Sequence, residues 1–169
     1  MLIFYGSTMT LDNSSTSNKT SERPPVEFVR PQRLQQFEEL PGWYQDNPFI
    51  RRAYRPESHS VAACVDSLKY IHNETVNIYT HLIPAIGCLV AQNLLQRKIT
   101  EDFPEATLTD RAIFACNLFA ATITLLLSTS YHTLMNHSLH VSYLWLRIDY
   151  VGILALILGS FISGISALA

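Results

Sequence analysis

The chain has 169 residues, 48% of them hydrophobic and 15% charged, with a formal net charge of −2. Soluble domains carry about 25% charged residues, so this balance argues against a soluble domain. With no basic tract, it also excludes a nucleic-acid partner. The cysteines Cys64, Cys88 and Cys116 are widely spaced, odd in number and form no CxxC, so they supply no disulfide framework and read as small buried hydrophobes.

Met1–Tyr5 is apolar but too short for the core of a cleavable signal, so the first spanning helix is expected to direct insertion. Residues 7–25 are rich in Ser, Thr and Asn and end in Pro-Pro. They cannot bury enough apolar surface to offset chain entropy, which predicts disorder. Residues 1–42 therefore read as a polar, largely disordered region, with a short helix over Gln32–Leu40. Residues 43–77 read as an interfacial segment. Its first part combines Trp43, Tyr44, Phe49 and Tyr54 with Arg51, Arg52 and Arg55, which suits a membrane–water boundary. A soluble cap folded onto a bundle is the alternative. Val61, Cys64, Val65 and Leu68, extended by Ile71, then follow helical spacing and predict an amphipathic helix of roughly three turns lying along the surface.

Residues 78–169 form the membrane region, with spans at about 78–96, 112–134 and 146–169. Each run is long enough for a hydrocarbon core of about 30 Å, and such runs satisfy their backbone as helices. A charged loop, 97–111, and a short connection, 135–145, separate them. The last residues, Ser163–Ala169, are still apolar, which predicts a truncated chain. Positive charges near the spans do not settle the orientation.

Three polar residues sit where two spans approach one leaflet. Ser128 and His132 share a helical face at the end of the second span, and Asp149 lies at the start of the third. A charged group costs about 2.5–3.5 kcal/mol at the centre of a span and less near its ends, unless paired or ligated. This constellation reads either as a metal site or as an interhelical His–Asp hydrogen bond. One His and one Asp cannot complete a four-ligand zinc site. His137 and His140 read as solvated interface residues. In His72-Asn73-Glu74-Thr75-x-Asn77-Ile78-x-Thr80-His81-Leu82, Asn73, Thr75 and Asn77 suit a helix cap and Glu74 the positive helix end. Thr80 and His81 suit interhelical bonding, with metal ligation by His72 or His81 as the less favoured reading. Four glycosylation sequons occur, a pattern common by chance.

From about Pro41 onward the chain resembles the progestin and adipoQ receptor family, which includes hemolysin III-related proteins and fungal zinc-homeostasis membrane proteins. The resemblance rests on Asp46-Asn47-x-Phe49-Ile50 with Tyr54-Arg55, on the His72–Leu82 motif, on Ser128-x-x-x-His132 and on Asp149-Tyr150-x-Gly152-Ile153. It implies an all-α membrane protein. The chain would supply the first three transmembrane helices of a seven-helix bundle, preceded by a disordered tail and an interfacial amphipathic helix. It also implies an integral protein of the plasma membrane or endomembranes with a cytosolic N-terminus. The implied cofactor is zinc, held by His132 together with an H-x-x-x-H of a seventh helix that this chain does not contain. Asp149 matches the aspartate that holds the zinc-bound water, and Ser128 the serine beside it.

Three functions follow from the resemblance. The first is a receptor-like protein in lipid or zinc homeostasis signalling, with residues 43–72 offered to a cytosolic protein partner. The second is a zinc-dependent, ceramidase-like amide hydrolase acting on a membrane sphingolipid through Asp149 and Ser128. The third is a pore-forming protein, ranked last because the spans carry no long polar stripe. Without the missing ligands, this chain by itself is expected to lack enzymatic activity.

Overall fold

A computed structural model describes residues 33–166. Single-turn 3-10 helices at Phe37–Glu39 and Gly42–Tyr44 precede α1 (Val61–Asp66), which runs into a 3-10 turn at Ser67–Lys69. Three long helices follow: α2 (Thr75–Asp102), α3 (Leu108–Leu134) and α4 (Leu139–Ser166). Among the described residues the only β pairing is a single bridge between Gln35 and Tyr54. All three long helices are long and apolar enough to cross a membrane. The disorder expected over 7–25 lies outside the described residues.

The helices overrun the apolar segments expected for them. With 27 or 28 residues each, they reach about 40 Å, more than a bilayer core requires. Hydropathy marks depth in the bilayer, whereas helix ends are set by caps. α2 therefore continues through Arg97 and Lys98 to Asp102, where Lys98 pairs with Asp102 one turn away. The loop shrinks to residues 103–107, and a Thr107–Asp110 capping box starts α3. α4 begins at Leu139, so His140, Tyr143 and Trp145 lie on its first turns and not in a connection. The short helix expected over Gln32–Leu40 reduces to the 3-10 turn at Phe37–Glu39, because Gln35 pairs with Tyr54 instead.

α1 is also shorter than its pattern suggests. Cys64 and Ser67 are buried, while Val61, Val65 and Ile71 are exposed. Ser67 Oγ donates to Cys64 O at 2.6 Å, closing the last α-turn. Of the cysteines, only Cys64 is buried; Cys88 is half-buried and Cys116 exposed, since three helices leave faces that no neighbour covers.

α3 packs between α2 and α4. It pairs with α4 antiparallel along its length. Thr124 Oγ1 donates to Gly152 O at 2.7 Å, and further along Ser160 Oγ donates to Asn117 Oδ1 at 3.3 Å. The close approach depends on two glycines seven positions apart. A Cβ at Gly152 would lie 3.2 Å from Thr124 Cα, and one at Gly159 would lie 3.0 Å from Ala120 Cβ. Small residues of this kind let helix backbones meet where lipid offers no hydrophobic driving force. Gly159→Val is expected to lower stability by about 1–3 kcal/mol through overpacking. Gly87→Val, which meets nothing within 4 Å, should cost less. Unfolding in detergent micelles measures both, and equal losses would contradict the packing account.

Candidate functional site

The last four carbonyls of a helix lack intrahelical partners, and at the end of α3 all four are satisfied. Met135 N–H donates to Tyr131 O and His137 N–H to Leu134 O, both at 2.9 Å. The other two, His132 O and Thr133 O, accept from the Arg55 guanidinium at 2.6 and 2.9 Å. Arg55 is fully buried and also donates to Ser67 Oγ at 2.9 Å. A cation here also suits the negative end of the helix dipole.

Arg55 arrives in a cap that folds onto this end of α3. Leu40, Tyr44 and Tyr54 form a buried cluster with Met135, joined by Phe37, Trp43, Ile50 and Tyr131. Asn136 Nδ2 donates to Pro56 O at 2.9 Å, and Ser58 N–H donates back to Asn136 O at 3.0 Å. Ala53 adopts a left-handed φ of 66°, and its carbonyl accepts from Asn73 N–H at 2.8 Å. The cap alternative thus describes Tyr44, Tyr54 and Arg55. Phe49, Arg51 and Arg52 are exposed.

The same layer buries an anion. Glu74, the residue before α2, accepts from Asn73 Nδ2 at 2.6 Å through Oε1. Its Oε2 accepts from Asn77 Nδ2 at 2.8 Å and lies 2.8 Å from His132 Nδ1. Asn73 and Asn77 therefore hold this carboxylate and do not cap the helix. The Glu74 N–H is taken by His72 Nδ1 at 3.1 Å, and Thr75 Oγ1 accepts from His72 N–H at 2.8 Å. Burial works to raise the Glu74 carboxyl. The hydrogen bonds from His132 and Asn77 and the nearby charges outweigh it, and the group lies below its ordinary range.

Of the three site residues read from the sequence, Ser128 and Asp149 meet directly: Ser128 Oγ lies 3.4 Å from Asp149 Oδ2. Ser128 is buried and Asp149 half-buried. His132 is one turn beyond Ser128, and its hydrogen bond goes to Glu74 and not to Asp149. Among the described residues His81 makes no interhelical hydrogen bond. Its Nδ1 lies 2.5 Å from Asn77 O within α2, and its ring stacks on that of His132 with centroids 5.8 Å apart and planes at 16°. Thr80 likewise bonds within its own helix, to Val76 O. Among the described residues no three His, Cys, Asp or Glu side chains cluster as a metal site. His137 is half-buried beside Ser138, and His140 is exposed. Glu74 is the site residue that sequence reasoning missed. Its available signal was the pair of asparagines flanking it at positions 73 and 77.

Two outcomes follow. Arg55→Ala should strand two buried carbonyls at about 1–3 kcal/mol each, lowering the unfolding midpoint in detergent; an unchanged midpoint would remove Arg55 from the core. Burial pushes the His72 imidazole down to about 4 from its ordinary 6.5, with the Arg55 charge acting the same way against Glu74. The unfolded chain then binds the proton first, so the stability His72 contributes is complete above pH 6.5 and lost as pH falls to about 4. Unfolding midpoints across that window, wild type against His72→Gln, should differ in slope, and parallel slopes would contradict a buried neutral His72.

Residues 69–169 match the haemolysin-III related family. Over 131 residues the chain is 40% identical to the ADIPOR-like receptor IZH2 of Saccharomyces cerevisiae, covering 78% of this chain and 41% of that protein. It is 36% identical over 126 residues to the adiponectin receptor protein of Drosophila melanogaster, covering 75% of this chain and 28% of that protein. It is 35% identical over 144 residues to the human progestin and adipoQ receptor family member 3, covering 83% of this chain and 45% of that protein. The chain thus spans less than half the length of these relatives.

Proposed function

The chain belongs to the haemolysin-III related family of receptor-like integral membrane proteins, and on that footing we propose that the complete protein carries a zinc site where α3 ends and α4 begins. The proposed role is lipid or zinc homeostasis signalling, with the N-terminus and the cap on the cytosolic side. One observation carries the reading: the ring of His132 is held through Nδ1 by a buried carboxylate. Histidines that bind metal characteristically give their second nitrogen to such a group.

The donor set fits zinc in part. His132 would be a ligand through Nε2. Asp149, with Ser128 against its Oδ2, would stand beside the ion as an acceptor for hydrogen-bonded groups. Zinc needs three or four ligands, so the remainder would come from parts of the protein outside these three helices. Bound zinc would supply Lewis acidity at the boundary of the membrane. Phe49, Arg51 and Arg52, exposed on the cap, would form part of the surface offered to a cytosolic protein partner.

A ceramidase-like hydrolase, acting on an amide bond of a membrane sphingolipid, is the second reading. The half-buried Asp149 carboxylate, with Ser128 against it, favours it, since an accessible carboxylate suits proton transfer. A pore ranks below both, because Thr122, Thr129 and Ser130 turn their hydroxyls to carbonyls of their own helix.

His132→Ala in the complete protein should abolish bound zinc, measured by elemental analysis after purification; unchanged zinc would sink the site. Asp149→Asn should leave zinc in place and, in the hydrolase reading, remove ceramide turnover. Loss of zinc would make Asp149 a ligand instead, and turnover that persists would remove the hydrolase role.

A further inference from the structure

We infer that Glu74, braced by Asn73 and Asn77, is the positioning residue that fixes the tautomer and orientation of His132. Its metal consequence rests on the zinc reading above; the positioning itself rests on geometry alone.

The anion is committed before it meets the histidine. Asn73 Nδ2 donates to Oε1 and Asn77 Nδ2 to Oε2, so each carboxylate oxygen is held from a different position of the chain. Asn73 is itself anchored, because its backbone N–H donates to Ala53 O. Glu74 therefore has little freedom to follow the ring, and the ring must come to it. An ionised carboxylate only accepts hydrogen bonds. At 2.8 Å, His132 Nδ1 must then carry the hydrogen, and in the neutral ring this leaves Nε2 as the nitrogen with the free lone pair.

Two further contacts limit the ring. The His81 imidazole lies nearly parallel on it, and the Tyr131 ring packs at 4.9 Å between centroids. From the other side Arg55 holds the carbonyl of the same residue. His132 is thus gripped by its backbone and its ring from two separate segments of the chain. A histidine required only for packing would not need a braced carboxylate buried at 7% exposure.

The test uses the complete protein in detergent micelles, labelled with 15N-histidine and stripped of metal by chelation. The His132 ring signals are identified by their disappearance in His132→Gln. Wild type should show the Nδ1–H form. Glu74→Gln, whose amide can donate as well as accept, should shift His132 toward the Nε2–H form, and Glu74→Asp should restore the wild-type form at least in part. A wild-type ring in the Nε2–H form, or a Glu74→Gln ring unchanged from wild type, would overturn the inference. The wild-type spectrum alone decides if Glu74→Gln does not fold.

Zinc titration against a chromophoric chelator gives the metal consequence. Glu74→Gln should bind zinc about 10–100-fold more weakly than wild type, the usual effect of removing such a partner. Equal affinity would overturn the metal consequence while leaving His132 as ligand. A wild-type protein that shows the Nδ1–H ring and takes up no zinc would sink the zinc reading and leave Glu74 as the group that positions His132.

Discussion

Two opposite charges buried at one end of α3 set the terms for everything around them. Removing an ion from water costs several kcal/mol unless hydrogen bonds replace its hydration. Arg55 meets this cost with two helix carbonyls and a serine hydroxyl, and Glu74 meets it with two asparagine amides and a histidine ring. The two ions do not touch. His132 lies between them, its carbonyl held by one and its ring by the other. The cap, the start of α2 and the end of α3 are therefore one unit, since none of the three can move without breaking a bond to a buried charge.

The opposite face of α3 is organised differently. Toward α4 the contacts are small residues and hydroxyls: Gly152 and Gly159 against Thr124 and Ala120, then Ser128 against Asp149. That interface lets the backbones approach closely and brings Asp149 to Ser128. At its end α3 meets the start of α2 through the His132–Glu74 bond, and along its length it packs closely on α4. Ser128 and His132, the two site residues of α3, lie in its last two turns.

The three spans can be read directly from apolar runs, because a bilayer imposes a length that few other environments do. Their ends cannot be read that way. Thr107 and Asp110 start α3 well before its apolar stretch, and α4 begins among His140 and Tyr143, which hydropathy assigns to a connection. Ser128, His132 and Asp149 are legible because each is a polar residue where Leu would insert more readily. Their partners are less so. Ser128 with Asp149 follows from antiparallel neighbours, but the His132–Glu74 bond joins residues 58 positions apart. Glu74, at the start of a helix, has a sufficient local explanation in the helix dipole. A local reason that is good enough conceals a long-range one. Arg55 is hidden similarly, as one of several arginines that suit a headgroup region, until the unpaired carbonyls of α3 are counted.

The Arg55 contacts also bear on how the chain is made. Arg55 and its acceptors are 77 and 78 positions apart, so the ribosome delivers the guanidinium long before the carbonyls that will hold it. At about 5–20 residues per second, the delay is on the order of ten seconds. During that interval α2 and then α3 leave the ribosome, while the cap segment lacks its anchor. The cap is translated first and cannot dock until the end of α3 has been made. Until then its aromatic residues lack the Met135 and Tyr131 side chains that they pack against in the folded chain.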